Sequence, residues 1–225
     1  MMTEPHTIPP AEMTVDELRL ALAPLIPTNA VFDGWSDQAL AMAASELGVP
    51  ADRAALAFPG GPIDMIDAWF DAIDRAMARA YPLDVISKLK IRERIRDLVL
   101  YRIEVIHPHK EALRRALAIL AMPQNGLAGP RLAWRAADRM WRIAGDVSTD
   151  FNHYSKRTIL AGLYSATMLV YLEDSTEELS TTRGFLDRRI DDVMSFEKFK
   201  ARWRGSRERL PSLSRFLGRL RYPVA

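Results

Sequence analysis

The chain has 225 residues, of which 48% are hydrophobic and 27% are charged, an ordinary balance for a globular protein with a sizeable core. It contains no cysteine, which excludes disulfides, thiol chemistry and cysteine-ligated metal sites. The formal net charge is +2, but residues 195–225 contain nine Lys and Arg and only two Glu. The rest of the chain is therefore mildly acidic, which is unlike a fold that binds nucleic acid.

The N-terminus lacks the features of a targeting segment. Residues 1–5 contain neither the basic nor the apolar region of a secretory signal, and they are too poor in arginine for a mitochondrial transit peptide. The most apolar stretch, residues 158–172, is also shorter than the roughly 20 residues that span a bilayer. The sequence therefore predicts a cytoplasmic protein of a bacterium.

Three helices are predicted before residue 61. The first begins with a capping box formed by Thr14 and Glu17. Ser36 caps the second helix, which ends at Gly48, and a short third helix covers residues 51–58.

The order of these helices in residues 1–61 resembles the helix-turn-helix head of TetR-type regulators. The third helix of such heads enters the major groove and needs polar or basic side chains there. In this chain that helix is ADRAALAF, in which Arg53 is the single cation and Asp52 would face phosphate. We therefore expect no nucleic-acid binding, and a ligand-responsive transcriptional regulator of the TetR type is the alternative function.

Residues 62–196 are predicted to form a helical bundle. Apolar periodicity predicts its helices over residues 62–81, 84–107, 111–121, 130–145, 148–172 and about 180–194. The second half of the helix at 148–172 is apolar on nearly every side and should lie inside the bundle. Since no period-2 strand pattern occurs, the predicted fold class is all-α, with about nine to ten helices.

Two motifs are specific enough to indicate a family. They are ALAILAMPQN at residues 116–125 and AGDVSTDFNHYSKR at residues 144–157, and TTRGFLDRRIDDVMSF at residues 181–196 supports them. Together they resemble the accessory lipid-binding protein of ubiquinone (coenzyme Q) biosynthesis, the ninth factor in the usual naming. The resemblance covers roughly residues 84–196.

This resemblance implies a fold and a function that composition does not show. It implies a TetR-like fold, a homodimer and no catalytic activity or cofactor. It also implies an apolar pocket that binds isoprenoid quinone intermediates or other lipids, which the protein presents at a membrane to the demethoxyubiquinone hydroxylase.

The resemblance also places the contact with the hydroxylase around the AGDVSTDF segment. Matched by position, the predicted partner-binding residues are Met140, Asp150, His153, Tyr154 and Arg157. His153 departs from the family, where Trp is common at that position. Polar residues 146–150 also suit a helix N-terminus, so a structural cap is an alternative role for each of them.

Apolar residues of the last bundle helices are candidates for the lining of a lipid pocket. They are Trp134, Leu160, Leu163, Met168, Leu169 and Leu172. Residues at this helical spacing are more often plain core, and the pocket is inferred mainly from the resemblance. The ten methionines favour an adaptable interior.

One pair of residues has the spacing of a metal site. Glu104 and His107 form a Glu-x-x-His pair, as in di-iron bundles. Such bundles need two pairs and two further Glu residues, and the other histidines, His6, His109 and His153, form no second pair. We therefore predict no metal, no catalytic residue and a structural role for His107 at the helix end.

Residues 197–225 are predicted to bind a membrane surface. An apolar stripe with basic flanks consists of Leu213, Arg215, Phe216, Leu217, Arg219, Leu220 and Arg221. An amphipathic helix with a basic polar face lies in the plane of a membrane interface. The alternative is a helix that packs on its own bundle or on a dimer mate. With the absence of a targeting segment, this tail predicts a peripheral protein on the inner, cytoplasmic membrane of a bacterium.

Overall fold

The computed structural model describes residues 9–149 and 151–209, apart from the side chains of residues 151 and 196–209. Within these ranges the secondary structure is helical and contains no β-strand. The α-helices are α1 (Val15–Leu22), α2 (Ile26–Asp33), α3 (Asp37–Leu47), α4 (Ala51–Ala55), α5 (Pro62–Ala80), α6 (Leu83–Ile86), α7 (Ile91–Ile106), α8 (Lys110–Leu120), α9 (Ala128–Ile143), α10 (Phe151–Glu173) and α11 (Ser180–Arg209). The predicted all-α fold class is confirmed.

Helices α1, α3 and α4 begin where the sequence places them. Thr14 and Glu17 form the predicted capping box of α1, and Ser36 accepts a hydrogen bond from the Ala39 amide at the start of α3. Gly48 ends α3 in the left-handed conformation, which glycine adopts without strain. The sequence analysis missed α2, because this short helix carries Pro27 in its first turn and has no clear apolar stripe.

The helix predicted over residues 84–107 is two helices, α6 and α7, so the prediction of one continuous helix is wrong. Residues 87–90 separate them, and no proline or glycine marks this break. Arg94 stabilises the break by donating hydrogen bonds to the carbonyl oxygens of Ser87 and Leu89, each at 2.8 Å. The amide of Lys90 donates to Glu93 at 2.8 Å and so caps α7.

Helix α10 lies at the centre of the bundle, packed against α7, α9 and α11. Helix α11 continues to Arg209, so its predicted end near residue 194 is wrong. None of the helices in the described ranges is long and apolar enough to cross a membrane.

The N-terminal helices are joined to the bundle by specific contacts. Trp35 donates from its indole to the carbonyl oxygen of Ala112 on α8 at 2.9 Å. Arg19 of α1 donates to the carbonyl oxygens of Ala57 and Asp64 at 2.9 and 3.0 Å. The buried apolar residues of both regions form one continuous core.

Candidate functional site

A cavity of about 540 Å³ lies among α5, α7, α8, α9 and α10, and we call it the central cavity. Its volume is typical of small-molecule sites. Three of the predicted lipid-binding residues, Trp134, Met168 and Leu169, line it. Apolar side chains dominate the rest of the wall, including Phe70, Leu113, Leu117, Leu120 and Leu132. Leu169 is largely exposed and therefore lies where the cavity meets solvent.

A second cavity of about 440 Å³, the junction cavity, lies among α7, α9, α10 and α11 beside residues 144–156. Two further predicted residues, Leu160 and Leu163, line this cavity. Leu172 is buried and lines neither of the two. The six residues predicted for one pocket are therefore divided between two cavities and the core, because α10 faces both cavities.

The central cavity also has a polar part that the sequence analysis missed. Arg102 and Tyr164 line it, and both are buried. Arg102 pairs with the buried carboxylate of Asp74, and its Nε donates to the Tyr164 hydroxyl at 3.1 Å. Burial opposes the charge of Arg102, but Tyr164 and Asp74 outweigh it and raise the pKa of the guanidinium above its ordinary value.

Tyr154 is the predicted partner-binding residue that the structure places most clearly on the surface, with 61% of the residue exposed. Its ring stacks on Trp134 and meets the ring of His153 edge to face, with centroids 5.2 Å apart. His153 is half-buried, and its Nδ1 lies 2.9 Å from the carbonyl oxygen of Ser148. Asp150 lies outside the described residues.

Two predicted partner-binding residues are not on the surface. Met140 is fully buried, and Arg157 is 2% exposed. Arg157 donates to Asp138 of α9 at 2.6 Å and to Asp146 at 3.1 Å. Neither side chain is therefore available to a partner in this structure. Met140 lies in the core on α9, and Arg157 extends from α10 to Asp138 of α9.

Asp146 lies between α9 and α10 and is the anionic centre of the contacts that join these two helices. Its carboxylate accepts hydrogen bonds from Lys156 and Ser148, each at 2.7 Å, as well as from Arg157. Burial raises the pKa of Asp146, but the hydrogen bonds from Lys156, Ser148 and Arg157 outweigh burial and lower it to about 2. Asp146 therefore holds the start of α10 against α9 through side-chain contacts.

Glu104 and His107 are engaged with different partners. Glu104 pairs with Arg183 of α11 at 3.0 Å, and His107 Nδ1 lies 3.2 Å from the Tyr171 hydroxyl. No group of three or more His, Cys, Asp or Glu side chains that could hold a metal occurs in the part of the chain that the structure describes.

The single cation of α4 is also engaged. Arg53 donates to the carbonyl oxygens of Pro10 and Met13, which fixes its guanidinium against the residues before α1. The predicted membrane-binding residues Leu213, Arg215, Phe216, Leu217, Arg219, Leu220 and Arg221 lie outside the described residues.

Comparison with known proteins identifies relatives of this chain. A family model described as COQ9 matches residues 127–197. The chain is 34% identical over 168 residues to the mitochondrial ubiquinone biosynthesis protein COQ9 of Rattus norvegicus, with 72% of this chain and 54% of that protein covered. It is 32% identical to the protein of that name from Homo sapiens, with 72% and 53% covered. The chain thus spans about half the length of the curated relatives it matches.

The fold is similar to that of a TetR transcriptional regulator from Nitrosomonas europaea. The two structures superpose with a TM-score of 0.62 at 21% sequence identity, covering 77% of this chain and 96% of the regulator. At this identity the likeness shows the fold alone, and the predicted TetR-like architecture is confirmed.

The names of the relatives correct one prediction. They are called mitochondrial, which contradicts the predicted location in the cytoplasm and on the inner membrane of a bacterium. That prediction relied on the first residues of a chain that covers about half the length of its relatives.

Proposed function

This chain belongs to the COQ9 family, and from that premise we propose that it is a non-catalytic lipid-binding protein of ubiquinone biosynthesis. In this proposal the central cavity binds an isoprenoid quinone intermediate, and the protein presents it at a membrane surface to the demethoxyubiquinone hydroxylase. The observation that carries the proposal is the largely apolar central cavity, whose wall includes Trp134, the residue on which the exposed ring of Tyr154 stacks.

The composition of the cavity wall supports a lipid ligand. Five leucines, Phe70 and Met168 contribute large apolar side chains to the wall, and Gly129 and Gly162 leave room beside them. Burying a prenyl chain gains roughly 0.8 kcal/mol per CH₂ group, so ten carbons contribute on the order of 8 kcal/mol before the cost of association. A bilayer gives a prenyl chain a similar gain, so an apolar cavity offsets most of what a lipid loses when it leaves the membrane.

The position of Tyr154 supports presentation to a protein partner. Its ring is exposed, while Trp134, on which it stacks, lines the central cavity. Exposed aromatic residues are enriched at the centres of protein interfaces. Asp150, His153 and Tyr154 form the docking surface in this proposal, and the buried Met140 and Arg157 hold it in place.

The tail and a homodimer complete the proposal. Residues 197–225 bring the protein to the membrane by combining apolar burial with attraction of basic side chains to anionic lipid. In the same proposal, two copies of the chain form a homodimer. No catalytic step is assigned to the chain, since Glu104 and His107 are each paired with another side chain.

A reconstituted hydroxylation assay tests the function. Vesicles that contain demethoxyubiquinone are mixed with the purified hydroxylase and its reductant, with and without this protein. We expect the protein to accelerate hydroxylation and to produce no product by itself. An unchanged rate, or product formed without the hydroxylase, would contradict the proposal.

A further inference from the structure

Tyr164 gives the central cavity a buried hydrogen-bond donor in a largely apolar wall. The residue is 5% exposed and lines the cavity together with Arg102. A hydroxyl group has one proton to donate and can also accept. The Tyr164 oxygen already accepts from Arg102 Nε at 3.1 Å, so its geometry is fixed by a buried neighbour.

The proton of this hydroxyl has no acceptor among the described residues. The sole hydrogen bond of Tyr164 within those ranges is the one that it accepts from Arg102. A buried donor without an acceptor costs free energy, and an oxygen atom inside the cavity would satisfy it. The cavity therefore favours a ligand that brings a hydrogen-bond acceptor to Tyr164.

The charges around Tyr164 decide what kind of acceptor fits. Arg102 is paired with Asp74, so its charge is already compensated. The second carboxylate oxygen of Asp74 lies 3.6 Å from Arg135 Nε, and Arg135 pairs with Asp67 at 2.7 Å. An anionic ligand group would be a buried charge without a free cation, which is costly. A neutral oxygen meets no such penalty.

We infer that the ligand of the central cavity binds with a neutral carbonyl or ether oxygen directed towards Tyr164, and that the Tyr164 hydroxyl donates a hydrogen bond to that oxygen. Arg102 is a positioning residue that orients the hydroxyl. The apolar remainder of the ligand then extends along the leucine-rich wall towards the exposed Leu169. This inference rests on the proposed function and adds the orientation and the polar group of the ligand.

Two matched probes test the inference with the full chain. Decylubiquinone carries carbonyl and methoxy oxygens, whereas decylbenzene has the same alkyl chain on a ring without oxygen. Their affinities are measured by tryptophan fluorescence for the native chain and for Tyr164→Phe, which removes only the hydroxyl. We expect the substitution to weaken decylubiquinone binding roughly two- to tenfold, the effect of about one hydrogen bond, and to leave decylbenzene within about twofold.

An infrared spectrum of the native complex provides a second readout that does not depend on folding of the variant. A quinone carbonyl that accepts a hydrogen bond absorbs at lower frequency than the free carbonyl, and we expect this shift in the bound state. Decanoate at neutral pH is the anionic probe and should bind more weakly than decylubiquinone.

The possible results separate the two proposals. If both neutral probes bind but the carbonyl frequency is that of the free quinone, the inferred orientation is wrong. It is also wrong if Tyr164→Phe leaves the affinities for both probes unchanged or weakens them equally. Tighter binding of decanoate than of decylubiquinone would overturn the assignment of a neutral oxygen. If the native chain binds neither neutral probe, the proposed lipid-binding function fails and the inference fails with it.

Discussion

The ring of Tyr154 stacks on the ring of Trp134, with their centroids 6.3 Å apart and their planes inclined by 30°. This contact joins an exposed side chain near the start of α10 to the wall of the central cavity. A partner that binds Tyr154 would therefore be one ring contact away from the wall of the proposed lipid site.

Replacing Tyr154 by Ala should weaken binding of the hydroxylase without unfolding the protein. Loss of an exposed side chain usually changes stability by about 0.5 kcal/mol or less, whereas loss of an interface anchor costs about 2 kcal/mol of affinity. The measurements are calorimetric affinity and thermal unfolding. Phe32→Ala is the control, because it removes an exposed aromatic ring from α2. An equal loss of affinity in both variants would argue against a docking role for Tyr154.

Arg157 should matter far more to stability than Arg142, although both pair with Asp138. Arg157 is buried and also pairs with Asp146, whereas the side chain of Arg142 is 65% exposed. Removing one member of a buried pair leaves buried charge behind, so Arg157→Ala should cost about 3 kcal/mol or more. Arg142→Ala should cost less than about 1 kcal/mol. Urea unfolding measures both values, and similar costs would show that Arg157 does not fix the junction.

Asp146 should contribute stability that is lost in acid. Its pKa is about 2 in the folded protein and near 3.8 in the unfolded chain, so its contribution is complete above about pH 5. The contribution falls as the pH drops from about 4 to about 2, because protons then bind the unfolded state first. Asp146→Asn should be less stable at neutral pH by roughly 2 kcal/mol, and this difference should shrink towards pH 2. A difference that stays constant across this range would contradict the assigned ion pairs.

Removal of the residues after Leu210 should abolish binding to anionic vesicles and leave the bundle folded. Phe216→Ser with Leu217→Ser should lose most binding at any salt, since these residues supply apolar burial. Neutralising Arg215, Arg219 and Arg221 should lose binding mainly on anionic vesicles and at low ionic strength. Flotation of the truncated chain with vesicles as efficiently as the full chain would exclude the tail as the anchor.

The sequence predicts helix ends where they carry local signals. Thr14, Ser36 and Gly48 mark their helices as expected. The break between α6 and α7 has no such mark, since it depends on Arg94 reaching back to the carbonyl oxygens of residues 87 and 89. Contacts of this kind depend on the fold and leave no pattern in a single sequence.

The candidate site is predictable only in part for the same reason. Periodicity identifies the apolar residues of α10, but it does not show that Met168 lines one cavity while Leu163 lines another. The partnership of Arg102, Asp74 and Tyr164 joins three helices, and nothing in the spacing of these residues indicates it. The family motif likewise locates Arg157 without showing that its side chain is buried.

The lipid content of two variants at Gly162 tests the central claim most directly. A Cβ atom added at Gly162 meets no heavy atom within 4 Å, and the residue lines the central cavity. Gly162→Phe should therefore fold and fill part of the cavity, whereas the control Gly162→Ala adds one methyl group and should gain about 0.5–1 kcal/mol of stability. Mass spectrometry of the purified proteins should find isoprenoid quinone or phospholipid with the native chain and Gly162→Ala, and little with Gly162→Phe. Lipid-free native protein, or equal lipid in all three, would contradict a lipid site in the central cavity.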